Sequence, residues 1–222
     1  MIKKFIEKLL GGVGKTGPAK GARGKRVEVP KAEHGIDPKL VDERAAKVVS
    51  TLAAGGYEAY IVGGAVRDLL LGLRPKDFDI ATNATPEQVK ALFRRAFIIG
   101  RRFRIVHVVF GRGRQERGFS EVFEVSTFRA AVDATVADHV EGNEQTSKTA
   151  MAGKSHVVDA SGRVLRDNVW GPQIEDAARR DFTINAIYLD PDGSVHDPMG
   201  GLADLAAHRV RFVGEPARRI AE

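Results

Sequence analysis

The tetrapeptide Asp77-Phe78-Asp79-Ile80 constrains the fold of this chain more than any other stretch. Side chains alternate along an extended backbone, so a strand here turns both carboxylates to one face and both apolar side chains to the other. That pattern requires a sheet with one face packed and the other open around the acids. Paired carboxylates repel unless a cation sits between them, and hard oxygen donors suit Mg²⁺ bridging to substrate phosphates. Taken alone, Asp-x-Asp also occurs in turns and on solvated edges, so the surrounding residues must decide.

Upstream, Tyr57 to Val62 reads as a strand and Gly63-Gly64 turns the chain into a short helix reaching Leu71. A strand ending in two glycines before a helix leaves backbone N–H groups free for an anion. Arg67 lies one turn in and can reach the same anion, while Asp68 pairs with it or with another arginine. The second strand runs from Lys76 to Ala81, and Thr85-Pro86-Glu87 caps a helix reaching Arg95. Strands are predicted over Ile105 to Phe110 and Val122 to Thr127. In the latter, Glu124 points away from Phe123 and Val125 and is the candidate third carboxylate, with Glu121 as its competitor. The last constellation is Arg179-Arg180-Asp181-Phe182-Thr183-Ile184-Asn185-Ala186, following a helix over Ile174 to Arg180. Its arginines suit a triphosphate or an RNA backbone, Asp181 a ribose hydroxyl or a structural pair, and Asn185 can donate and accept. A hairpin across Pro191-Asp192-Gly193 and a helix over Leu202 to Ala207 complete a mixed α/β reading.

The folded part is expected to open at Asp37-Pro38, with a helix running to Ala54. Residues 1–36 read as a basic, flexible extension, since residues 1–31 hold nine Lys or Arg against Glu7 and Glu28. Within it Ile2, Phe5, Ile6, Leu9 and Leu10 form an amphipathic pattern over residues 2–10, short enough to need a protein or anionic membrane surface. Gly14-Lys15-Thr16 resembles the end of a phosphate-binding P-loop, but the required upstream glycine is Leu9 and no strand precedes it. A second basic run includes Arg101, Arg102 and Arg104, candidate RNA contacts. Asp133 to Arg163 shows no period and reads as an exposed insertion within residues 37–222.

No cysteine is present, which excludes thiolate metal sites and Cys nucleophiles and makes a cytoplasmic setting the default. No stretch is long and apolar enough for a transmembrane segment.

Gly63-Gly64-x-x-Arg67-Asp68, then Asp77-Phe78-Asp79, then Arg179-Arg180-Asp181-Phe182-Thr183-x-Asn185-Ala186 resembles, in this order, the class II nucleotidyltransferases of the polymerase-beta superfamily. That group contains bacterial poly(A) polymerases and CCA-adding enzymes. The resemblance spans about Ile61 to Gly214 and implies a mixed sheet flanked by helices. It implies that Asp77 and Asp79 hold two Mg²⁺ ions, that Gly63, Gly64 and Arg67 position the triphosphate, and that Arg180 contacts the nucleotide. Asp181 is implied as functionally required, as metal ligand, nucleotide contact or structural residue. The run Gly100 to Val108 is similar to the poly(A) polymerase form, which implies ATP as substrate and an RNA 3′ end as acceptor, with CCA addition to tRNA as the alternative. A reading of another class is a non-catalytic basic RNA-binding module, against which the 7% aromatic content offers no stacking platform. The family's base-selecting helix, neck, body and RNA-binding tail would lie beyond Glu222, so the chain is expected to be an N-terminal catalytic part.

Overall fold

The structure is a computed structural model that describes residues 27–100, 103–111, 121–130, 138–139, 156–158, 164–167 and 169–216. The amphipathic residues 2–10, Arg101, Arg102 and most of the 133–163 insertion lie outside the described residues. Strand β1 (Val27–Val29) and the short helix α1 (Lys31–His34) precede α2 (Glu43–Ala54), β2 (Ala59–Val62), α3 (Gly64–Leu70) and β3 (Asp79–Thr82). Then come α4 (Pro86–Leu92), β4 (Ala96–Ile99), β5 (Ile105–Phe110) and β6 (Glu121–Thr127). After β7 (Asp138–His139), β8 (His156–Val158) and β9 (Val164–Asp167), the chain forms α5 (Gln173–Ala178), β10 (Tyr188–Leu189), β11 (Val195–Asp197) and α6 (Gly201–Ala206).

Eight strands make one mixed sheet in the order β1-β11-β10-β2-β3-β6-β5-β4, in which β3 and β6 run parallel and every other pair antiparallel. Alternation along the strands divides the core in two. Ile61, Ile80, Val106, Val125 and Leu189 face one side, where α2, α3, α4 and α6 cover them with Val48, Leu52, Val66, Leu69, Val89 and Leu202. Tyr60, Val62, Ala81 and Tyr188 face the other side and pack on Phe128, Val213 and Ala177 of α5. Among the described residues, that second layer covers the β10–β2–β3 part of its face. Burying such side chains contributes about 1.5–3 kcal/mol each, so the helix-covered side anchors the sheet while, among the described residues, the other stays partly open.

Several elements differ from the sequence reading. Strand β1 and helix α1 fall inside the segment read as a flexible extension, and β1 pairs Val27 to Asp197 and Val29 to Val195 at the sheet edge. Val27-Glu28-Val29 alternates as a strand does but is too short to stand out beside a Gly/Lys-rich run; pairing with β11 is what fixes it. Asp37 caps only the 3₁₀ turn Pro38–Leu40, after which Val41 returns to an extended conformation. Asp42 caps α2, accepting from the Arg44 and Ala45 amides at 2.8 and 3.4 Å. Strand β4 was not expected, and the span read as an insertion contributes β7 and β8 to a three-stranded sheet in the order β7-β8-β9.

Candidate active site

Gly63 closes β2 with φ 77° and ψ −141°, a conformation that glycine alone adopts readily. Its missing side chain leaves room for two groups: a Cβ there would stand 3.7 Å from Arg180 Nη1 and 3.8 Å from Asp79 Oδ2. The glycine turn, the strand carboxylate and the downstream arginine therefore meet at one point, although 16 residues separate Gly63 from Asp79 and 101 separate Asp79 from Arg180.

Asp79 opens β3, opposite Val62 on β2, while Asp77 lies just before the strand. The parallel register pairs Ile80 with Val125, which brings Asp79 level with Glu124 on the same face. Asp79 remains accessible to solvent, yet its carboxyl is held above the usual range by partial desolvation and by the Glu124 and Asp77 charges, with Arg180 opposing. Among the described residues its carboxylate accepts no hydrogen bond. Glu121, the other candidate, is engaged by Arg44 of α2 and belongs to the opposite side of β6. His107 lies across from Glu124, with Nε2 3.5 Å from Oε1.

Arg180 is fixed by a cluster that sequence reasoning missed. Its Nε donates to the Tyr188 hydroxyl at 3.2 Å and its Nη2 to Asp176 at 3.1 Å; the Tyr188 hydroxyl donates to the same Asp176 oxygen at 2.9 Å. The backbone N–H of Arg129 reaches the other Asp176 oxygen at 3.3 Å. Burial works against the Arg180 charge, but Tyr188 and Asp176 hold the guanidinium protonated beyond its usual range, and burial pushes the Tyr188 hydroxyl up so that it stays a donor. Nη1 has no hydrogen-bond partner among the described residues and is the nitrogen beside Gly63 and Asp79. The i, i+4 spacing of Asp176 and Arg180 was the available signal; the Tyr188 contact depends on strand register.

A second network joins the first and last motifs. Arg67 donates through Nη1 to Asn185 Oδ1 at 2.9 Å and through Nε to Asp68 at 2.9 Å. Asn185 Nδ2 donates to Asp181 at 3.2 Å, and the Phe182 amide caps the same carboxylate at 2.7 Å. The Arg67 guanidinium folds back to 3.3 Å from where a Gly64 Cβ would sit. The turn holding Asn185 is anchored by Thr183, which donates to Asp204 at 2.6 Å, and by Arg211, whose Nε donates to the same oxygen at 2.8 Å. Helix α6 approaches so closely that a Cβ on Gly201 would stand 2.2 Å from the Thr183 carbonyl oxygen. Asp197, also missed, caps that helix, accepting from the amides of Met199, Gly201 and Leu202 at 3.2, 2.8 and 2.9 Å.

Arg104 is not brought to this site. It falls in the same alternation as Val106, on the helix-covered side, and pairs with Glu87 at the start of α4. The donor set Asp77, Asp79 and Glu124 has the chemistry of a hard divalent cation site, but among the described residues no three such groups stand close enough to form a ready-made cage. Mg²⁺ fits such a site because it takes one or two carboxylates and completes its shell with water and substrate phosphates.

A mixed sheet with one parallel pair, an aspartate-bearing strand beside a glycine turn, and helices on one side define the polymerase-beta-like nucleotidyltransferase fold, shared with a solved Bacillus stearothermophilus CCA-adding enzyme in complex with CTP. That structure matches with a TM-score of 0.57 and 33% identity, covering 83% of this chain and 36% of the other. The chain belongs to the Poly A polymerase head domain family, whose model matches residues 59–211. It is 42% identical over all 222 residues to Poly(A) polymerase I of Salmonella typhi, and 36% identical over 181 residues, 81% of the chain, to a CCA-adding enzyme of Levilactobacillus brevis. It spans 43% of the first relative and 37% of the second.

Proposed function

We propose that this chain carries the catalytic centre for transfer of AMP from ATP to an RNA 3′-hydroxyl. The observation that carries this reading is the meeting of Asp79, Arg180 Nη1 and the Gly63 turn within one contact distance. The 3′-hydroxyl oxygen bonds to the α-phosphorus and gives up its proton to solvent, the bond from that phosphorus to the β-bridging oxygen breaks, and pyrophosphate leaves. Arg180, with one nitrogen free and the rest of its guanidinium clamped, offers a fixed positive charge to the triphosphate without reorganising. Arg67, linked through Asn185 to Asp181, places a second cation and a ribose-binding carboxylate in one rigid frame. Asp77 and Asp79, with Glu124 beside them, would hold the divalent ions. Bound there, two Mg²⁺ ions would lower the pKa of the attacking hydroxyl and neutralise charge on the leaving pyrophosphate.

The choice of AMP rests on the 42% identity to a Poly(A) polymerase I over the whole chain. CCA addition to tRNA is the second reading, supported by the 36% relative and by the fold shared with the CTP complex. A cytoplasmic setting suits both substrates. Incorporation of labelled ATP against labelled CTP into an RNA primer and into a tRNA lacking its 3′ end separates the two. Preferential ATP addition to the primer is expected; CTP addition to the tRNA alone would overturn it. RNA contact by Arg101, Arg102 and Arg104 is tested by their joint change to Ala, which should flatten the salt dependence of RNA binding.

A further inference from the structure

The open half of the sheet carries, beside the carboxylates, a surface that the chemistry above does not use. Phe97 pairs with His107 across β4 and β5, His107 with Glu124 across β5 and β6, and Glu124 lies level with Asp79. These four residues form one row on one face. Around the row, Phe97, Val122 and Ile99 are 54, 48 and 43% exposed. All three alternate onto this face, since Val106, Val108, Phe123 and Val125 occupy the other. Arg94 and Arg95, just before β4, are also exposed. Composition offered no stacking platform, but register gathers one exposed aromatic ring and two exposed aliphatic side chains beside the candidate carboxylates, with two exposed arginines at the start of β4, a set that suits a single-stranded nucleic acid better than a protein. Bases stack on aromatic faces and the backbone is neutralised by arginine.

We infer that Phe97 stacks a base of the RNA a few nucleotides upstream of its 3′ end, with Val122 and Ile99 extending the platform. This rests on the proposed transfer to an RNA 3′-hydroxyl, which fixes that end at Asp79. Three strand spacings of about 4.8 Å separate β3 from β4, so Phe97 lies roughly 14 Å along the row. That is about four nucleotides at the 3.4 Å rise of a stacked strand, and fewer in an extended one. Stacking tolerates any base, so the platform would grip a growing tail without reading it.

The test is the kinetics of the complete natural protein on oligo(A) RNA primers of two to eight nucleotides, for wild type, F97A and F97W. F97A should raise the primer KM roughly 5- to 100-fold for primers of five or more nucleotides, leave the ATP KM unchanged, and lose its effect on dinucleotides. F97W should restore the wild-type KM. In parallel, 2-aminopurine placed four nucleotides from the 3′ end should be quenched on binding to wild type and not to F97A. A primer KM that F97A leaves unchanged at every length overturns the inference. So does a lowered melting temperature, or a dimer turned monomer, with primer kinetics intact, because the face then docks protein. Failure of wild type to extend any primer would instead remove the transfer reading on which the inference stands.

Discussion

Asp79 and Asp197 are both strand aspartates, and burial lifts both carboxyls above the usual range, yet their surroundings are opposite. Asp197 is 2% exposed and gathers the amides of Met199, Gly201 and Leu202. Asp79 faces solvent, accepts no hydrogen bond among the described residues, and has Glu124 and Asp77 as like-charged neighbours. A carboxylate ringed by donors is satisfied inside the fold and serves geometry. One ringed by other carboxylates and a single arginine is satisfied only by something that arrives from solution. The contrast separates a structural acid from a candidate functional one more sharply than burial or pKa does.

The largest effect that could break this contrast is on activity. Asp79→Asn or Asp77→Asn should lower nucleotide incorporation by roughly a thousandfold or more, with a melting temperature equal to wild type or above it, since a repulsive charge is removed. Wild-type turnover in a variant, measured with Mg²⁺ present, would remove the replaced aspartate from the catalytic centre. Arg180→Lys should reduce incorporation by about a hundredfold. It should also destabilise the fold, because a lysine cannot bond Tyr188 and Asp176 while leaving a nitrogen toward Gly63.

Asp197→Ala runs the other way: about 1–3 kcal/mol lost in denaturant unfolding, from amides left buried and unpaired. Its loss of activity should track the loss of folded protein. The smallest effect is on pH dependence. The raised carboxyl of Asp197 favours the protonated fold, so its contribution is fully present at low pH and declines as pH rises through the interval above the usual carboxylate value. Asp42 is the reverse case, because the Arg44 guanidinium holds its carboxyl below the usual range. Its contribution is present above that range and lost as pH falls through the lowered value. Asp197→Asn and Asp42→Asn should therefore change the pH slope of unfolding free energy with opposite sign.

The geometry of the candidate site was legible in the sequence where chemistry and spacing are local. Alternation correctly put Asp79 and Ile80 on opposite faces, but the strand expected from Lys76 begins only at Asp79, so Asp77 and Phe78 precede β3, and Gly63-Gly64 announces a turn. Glu124 was separable from Glu121 by the same alternation, and the structure gives the physical outcome: Arg44 engages Glu121, while Glu124 shares the face of Asp79. What holds these residues was not legible. The Asp176–Arg180–Tyr188 clamp and the Asp197 cap need register and chain crossings that local pattern does not carry. Asp37 and Asp42 are both credible caps, and Pro38 favoured the wrong one, since only the tertiary position of α2 distinguishes a 3₁₀ turn from a helix start. Strand β1 is a strand because β11 offers it a partner.

Strand β10 enters the sheet between β2 and β11, pairing Tyr188 with Val62. All four residues of β2 are buried on both faces, and one of its edges finds its neighbour only when the chain has been made 126 residues past Val62. At ~5–20 residues per second of synthesis, the nascent protein carries that apolar edge uncovered for roughly 6–25 s. Through most of that interval the nascent chain contains Asp77 and Asp79 but lacks Arg180. Until Tyr188 has paired with Val62 and taken the Arg180 side chain, the Gly63 turn lacks its arginine, so the candidate site is completed by the same step that closes the edge.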